Sequence, residues 1–252
     1  KFVEETGYKT DAEKDGKGGV GFKDGRVVQA PQFIWSADIG FGQTDEHPVI
    51  NVIWNDATAF CACLSRKEGV KYHLPTEAEW EFACRAGTTS RYSFGDDEKL
   101  LESYAWSGIK TREGGRPHPV GQKQANGFGL FDMHGNVKEW CQDRWGLYTQ
   151  NSLVDPAGPA DGNRSVFRVW RGGSYEDRSS ETRSAFRYPN VPQTRRAYNI
   201  GFRVVRDVAK QSKPPVAKAP FDAATAKKHQ QAWADYLGVP VEKVLDIGGG
   251  VK

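Results

Sequence analysis

From Thr88 to Asp207 the chain carries no sustained helical period, and this feature limits what it can fold into. A segment of that length has to bury its apolar residues through short strands, turns and loops. Strand-like pieces punctuate it: "YSFG", "PHPVG", "FGLFDM", "VKEWCQDRW", "FRVWRGGS" and "GFRVVRD". The 28 glycines and eight tryptophans suit such a fold, since glycine permits sharp turns and large rings fill irregular gaps.

Two helices precede this segment. In "NDATAFCACLSRKEG" Asn55 is the expected cap, Ala57, Phe60, Cys61 and Leu64 share one face, and Gly69 is the stop. In "LPTEAEWEFACRAG" Thr76 and Glu79 have capping-box spacing, Pro75 and Trp80 can staple the start, and Gly87 is the expected end. Residues 1–45 read as turns with short strands between them, and "HPVINVIW" as an extended apolar run. Beyond Asp207, "VAKQSKPPVAKAP" reads as a Pro/Lys/Ala linker. A short amphipathic helix capped by Asp222 and stopped by Gly238 follows, and then a glycine-rich end. Pattern alone gives an α+β domain over 1–208 and an appendage over 209–252.

Several function classes fall away. A net charge of +3 gives no reason to expect a nucleic-acid partner. No apolar run approaches the roughly 18 residues that span a bilayer. The four cysteines form no C-x-x-C pair, and "DIGGGVK" lacks phosphate-loop spacing. Nothing orients Ser179, His134 and Asp177 into a hydrolytic triad.

Four stretches in order carry a resemblance: "LPTEAEWEFACRAGT", "HPVGQKQANGFGLFDMHGNVKEWCQD", "WRGGSY" and "NIGFRVV". Together they resemble the formylglycine-generating enzyme family, the sulfatase-modifying factors, firmly over residues 45–207 and loosely over 1–45. The resemblance implies the family's variant of the C-type-lectin-like fold, with short twisted sheets, two helices and extensive loops. It also implies that the family's N-terminal strands are missing and that the chain is a piece of a larger bacterial protein. A cell-envelope or extracellular setting is the favoured compartment.

Oxidases of this family hold copper(I) between two cysteines just after the "GGSY" motif. The matching positions here fall near Asp177 and Ser179, and no cysteine follows Cys141. Hard oxygens do not replace soft thiolates, so copper is not expected. The implied function is a non-catalytic binding or structural module; the alternative is a formylglycine-generating oxidase acting on a sulfatase cysteine. Tyr175, Asp177, Arg178, Ser179, Glu181 and Arg183 form the expected ligand-binding surface, for a protein, peptide or glycan. The competing reading is a loop stitched by its own Arg–carboxylate pairs, with Arg171, Arg187 and Arg203 in structural roles.

The resemblance further implies a structural Ca2+ held by Asp132, the carbonyls of Gly135 and Val137, and Glu139, with His134 in a packing role. Lys138 and Cys63 stand where the family often has Trp. Extracellular members pair the cysteines matching Cys61 and Cys84 with partners that fall here near Val204 and Ser184, so mostly free thiols are expected.

Overall fold

The computed structural model describes residues 1–109, 115–148, 154–159, 167–207 and 223–237. The chain falls into two units, Lys1–Asp207 and Val208–Lys252. Within the second, the described part is helix α6 (Ala223–Leu237). Asp222 and Gly238, its expected cap and stop, lie outside the described residues.

The first unit is an α+β fold with short sheets. Its first residues form helical turns as well as strands: α1 (Phe2–Thr6) and α2 (Asp11–Lys14) precede the hairpin of β1 (Gly19–Lys23) and β2 (Arg26–Ala30). The expectation of turns and short strands over 1–45 is met by the hairpin, and the two helical turns are additional to it. Thr10 caps α2 because Glu13 reaches back to its backbone N–H at 2.7 Å, a local device outside the apolar period used for detection.

Helix α3 (Trp54–Glu68) starts one residue before the expected cap. Asp56 Oδ2 accepts from Ile53 N–H at 3.0 Å, so Asp56 satisfies the first turn from inside, and Asn55 does not cap it. Gly69 ends the helix in the left-handed conformation, as expected. Helix α4 (Glu77–Arg85) has the capping box: Glu79 N–H donates to Thr76 Oγ1 at 3.1 Å, and Thr76 N–H to Glu79 Oε2 at 2.7 Å. It ends on Ala86 in the left-handed region rather than on Gly87. A further short helix, α5 (Leu101–Tyr104), joins the two long ones, so the helices outnumber the two expected.

Of the strand-like pieces, "VKEWCQDRW" becomes β4 (Lys138–Arg144) and "FRVWRGGS" becomes β5 (Phe167–Arg171). With β6 (Tyr188–Pro192) and β7 (Ile200–Gly201) they form one sheet in the order β6-β5-β4-β7, with β4–β7 parallel. "GFRVVRD" divides: its Gly201 ends β7, and Val205–Arg206 form β8, paired with β3 (Tyr72–His73). "YSFG" is an isolated bridge, while "PHPVG", "FGLFDM" and the apolar run before α3 are loops. Ile50, Val52 and Ile53 in that run are nonetheless buried.

Strand β4 is the axis of the core. Side chains alternate across a sheet. Trp140 accordingly joins Ala57, Cys61, Leu74 and Ile200 beside α3, while Cys141 joins Trp80, Cys84 and Val169 beside α4. The indole of Trp140 donates to Val52 O at 3.1 Å and that of Trp54 to Cys141 O at 2.9 Å. These bonds satisfy polar atoms that burial would otherwise strand. Among the described residues, no helix is long and apolar enough to cross a membrane.

Candidate functional site

Two loops that join this sheet, with the strand residues beside them, carry the candidate site residues. The first follows β5. Gly172 and Gly173 both have positive φ, and a Cβ on Gly173 would stand 2.6 Å from the Thr182 side chain, so the reversal requires glycine. Beyond it, Asp177 Oδ2 accepts from Ser174 N–H at 2.7 Å and from the Ser174 hydroxyl at 2.6 Å. Lys138, on β4, donates to Ser174 Oγ at 3.1 Å and forms an ion pair with Asp177. The Tyr188 ring lies 4.9 Å from its ammonium. Lys138 is 8% exposed and Asp177 15%, so this is a buried, internally neutral pair.

The rest of the loop is stitched in the same way. Ile109 N–H and Gly108 N–H donate to Tyr175 O and Asp177 O, both at 2.8 Å, and Tyr175 N–H donates to Asn136 O at 2.9 Å. Ser179 O accepts from Tyr92 Oη at 2.9 Å, and the Ser179 hydroxyl meets Glu98 at 3.1 Å. Glu181 accepts from Arg178 N–H at 3.1 Å, and Arg183 Nε donates to Ser180 O at 2.8 Å. His134 underlies the loop: its Nδ1 faces Thr182 O at 2.9 Å, and its Nε2 accepts from Ser93 N–H at 3.1 Å. The carbonyl partner assigns the proton to Nδ1. Burial depresses His134 to a pKa of about 4, so the ring stays neutral.

Tyr175 is therefore corrected as a surface residue: it is fully buried and packs edge-on against Phe41. Asp177 is largely turned inward. Arg178 is exposed, and Ser179, Glu181 and Arg183 are half-buried. The structural arginines sit as expected. Arg171 is buried between Glu77 and Glu81, Arg187 reaches Glu77 at 2.5 Å, and Arg203 reaches Glu139 at 2.5 Å.

No pair of thiols faces the first loop. Cys61, Cys84 and Cys141 are buried, and all four cysteines are unpaired. Burial pushes the thiols of Cys61 and Cys84 up to about 11 and about 12, far from a reactive thiolate. Buried Ser184 stands at the second of the expected family pairing positions, where it offers Cys84 no thiol.

The second loop precedes β4. Asp132 and Asn136 take the left-handed conformation, whereas Gly135 does not; a Cβ there would stand 2.2 Å from Trp106 O. Close approach, rather than left-handed backbone, is what demands this glycine. Asp132, Gly135, Val137 and Glu139 line one cavity of about 380 Å3. Asp132 Oδ2 accepts from Gly121 N–H at 2.8 Å, and its Oδ1 is buried without a partner. Burial, with the Glu139 charge adding, holds the Asp132 carboxyl above its usual range. Glu139 is already engaged by Arg203 at 2.5 and 2.6 Å and by the Trp80 indole at 2.7 Å.

The model of the sulfatase-modifying factor enzyme 1-like domain matches residues 1–208. The chain belongs to that family. It is 35% identical over 241 residues to the formylglycine-generating enzyme of Streptomyces coelicolor, which covers 82% of this chain and 73% of that enzyme. It is 36% identical over 169 residues to the serine/threonine-protein kinase pkn1 of Chlamydia caviae, across 65% of this chain and 24% of the kinase. Among solved structures, PvdO from Pseudomonas aeruginosa superposes with a TM-score of 0.66 at 28% identity, across 82% of this chain and 75% of PvdO. The sequence signals for this family's sheet and helices are thus met, whereas the Lys138–Asp177 contact joins residues 39 positions apart that no local pattern links.

Proposed function

We propose that this family member is a non-catalytic binding or structural module within a larger bacterial protein. One observation carries the reading: where the resemblance expects thiols for copper(I), the chain has Asp177 and Ser179, and Asp177 is consumed by Lys138. The donor set does not fit copper, because a hydroxyl and a lysine-paired carboxylate are hard oxygens and the ammonium repels a cation. The pkn1 relationship supports modular use, since there the matching region is a minor part of a longer chain. The half-buried and exposed residues Arg178, Ser179, Glu181 and Arg183 form the contact surface, for a protein, peptide or glycan.

The test is direct. The chain is incubated with copper, oxygen and a cysteine-containing sulfatase-motif peptide, and aldehyde is measured by hydrazine capture. No aldehyde is expected; formation above the copper-only control overturns the reading and restores the oxidase.

Calcium is a second element of the proposal. The unpartnered Asp132 oxygen and a cavity shared with Gly135, Val137 and Glu139 fit a hard cation in donor type. Asp132 and Glu139 would supply carboxylates and Gly135 and Val137 carbonyls, with Glu139 shared with or released from Arg203. The ion would tie the turn to β4 and offset two neighbouring negative charges.

A further inference from the structure

The hairpin of β1 and β2 is a sheet of its own, apart from the four-stranded one. The outer side of β1 is covered. Val20 N–H donates to Asn51 Oδ1 at 2.9 Å, Asn51 Nδ2 donates to Val20 O at 2.9 Å, and Phe22 N–H donates to Ile39 O at 3.2 Å. In an antiparallel ladder, directly opposed residues turn their backbone groups either both toward each other or both away. Val20 opposes Gln29 and Phe22 opposes Val27, so the N–H and C=O groups of Val27 and Gln29 point away from β1. Nothing among the described residues pairs with them. Arg26, Val27 and Gln29 are exposed, Val27 by 51%. The other five-residue edge strand, β6, carries Pro189 and Pro192, which have no N–H to offer, whereas β2 has no proline. The hairpin tip adds a charge imbalance. Lys23 and Arg26 stand directly opposite each other, and neither forms an ion pair among the described residues, with Asp24 of the turn or any other acid. Like charges so placed repel.

We propose that the outer edge of β2 docks an extended segment of a partner protein, added antiparallel as a third strand, with a carboxylate opposite Arg26. In such strand addition the main-chain bonds give affinity and alternate side chains give specificity. Val27 and Gln29 each offer one donor and one acceptor to the incoming strand. Directly opposed residues share a face, so a carboxylate opposite Arg26 lies on the face that Lys23 and Arg26 share and offsets their repulsion. A β-branched residue opposite Val27 extends the exposed apolar side. A second copy of the chain meets the charge requirement poorly: two β2 edges paired about Val28 set Ala30 against Arg26 and bring no carboxylate to the tip. The edge belongs to a different sheet from the loop after β5, so this proposal and the non-catalytic reading fail independently.

The probe is the peptide Ac-Ser-Thr-Val-Val-Glu-Gly-NH2, which sets its second valine against Val27 and its glutamate against Arg26. It is titrated into the full 15N-labelled chain while backbone amide resonances and their hydrogen exchange are followed. The Val27 and Gln29 amides are expected to shift in a saturable way and to exchange more slowly. The Val28 amide, already turned toward Gly21, is expected to keep its exchange rate. A peptide N-methylated at the second valine loses one bond to the edge and is expected to bind at least about fivefold more weakly. Lysine in place of the glutamate is expected to weaken binding about threefold, the scale of one exposed ion pair. Arg26→Glu, a change at an exposed position, is expected to cancel that preference. The proposal is overturned if Val27 and Gln29 do not respond up to the solubility limit of the peptide, or if the N-methylated peptide binds as well. It is equally overturned if the preference for glutamate is absent or survives Arg26→Glu, or if dilution of the chain alone moves the same two amides, which would make a second copy the occupant.

Discussion

The loop after β5 and the turn before β4 lie at neighbouring strand ends, yet they differ in what they leave over. In the first, Asp177, Ser174 and Lys138 satisfy one another, and the carbonyls of Tyr175, Asp177, Ser179 and Thr182 are all taken. In the second, Glu139 is equally engaged, but Asp132 keeps one buried oxygen without a partner. A binding site needs unfilled valence in a fixed place. Among the carboxylates the comparison locates it in the turn, while on the other loop the outward side chains run from Arg178 to Arg183.

The largest effect should come from breaking the internal pair. Lys138→Met leaves Asp177 buried without its cation and is expected to cost about 3–5 kcal/mol in urea unfolding. Lys138→Met with Asp177→Leu should recover much of that loss, since an apolar pair of similar volume removes the stranded charge. A double variant as unstable as the single one would show that the pair is not what fixes the loop.

Acid should attack the same loop through His134. Its folded pKa of about 4 lies below the ordinary 6.5, so the unfolded chain binds the proton first. The stabilisation is complete above pH 6.5 and is lost as pH falls toward 4, by about 3 kcal/mol at most. His118, also lowered to about 4 by burial, acts in the same direction. Asp143, raised to about 6 by burial, acts oppositely, since its folded form holds the proton more tightly between the ordinary carboxylate range and pH 6. Unfolding free energies at pH 7 and pH 5 test the net sign. If His134→Asn has an unchanged pH slope, His134 does not contribute.

For the turn, calcium at a hundredfold excess over Kd should stabilise by about 2.7 kcal/mol. That raises the melting temperature by about 5–10 °C for a domain of this size. Asp132→Asn should remove the shift, and identical melting curves in calcium and in chelator would end the calcium proposal. The smallest effect is expected at Arg178: Arg178→Ala should alter stability by no more than about 0.5 kcal/mol. A large loss there would mean that the outward face is structural, leaving the loop no surface to spare for a ligand.

Much of the fold was legible. Thr76 and Glu79 announced α4, because a capping box is made by residues three apart. Gly69 marked the end of α3 for a similarly local reason. The strand-like piece "VKEWCQDRW" marked the central strand, and the ordered motifs pointed to the family. Asn55 misled because capping of α3 was supplied by Asp56 from within the first turn, an alternative the cap preference does not distinguish. Tyr175 misled because a tyrosine in a polar loop reads as exposed, while its burial against Phe41 involves a segment more than a hundred residues away. Lys138 stood out only as an unusual residue; its partner on the other loop could not be named from spacing.

What the sequence determined by itself were the α4 capping box, the stop at Gly69, short strand-like pieces, the absence of any cysteine after Cys141, and the motif order that marks the family. What only the tertiary structure decided was which polar groups remain available. Asp177, Glu139 and Asp132 are the same kind of residue in the sequence. Lys138 neutralises the first and Arg203 the second, while the third retains a free oxygen. The physical reason is that a buried charge is settled by whatever side chain comes within about 3–4 Å of it, and here those neighbours are brought by strands and loops distant along the chain.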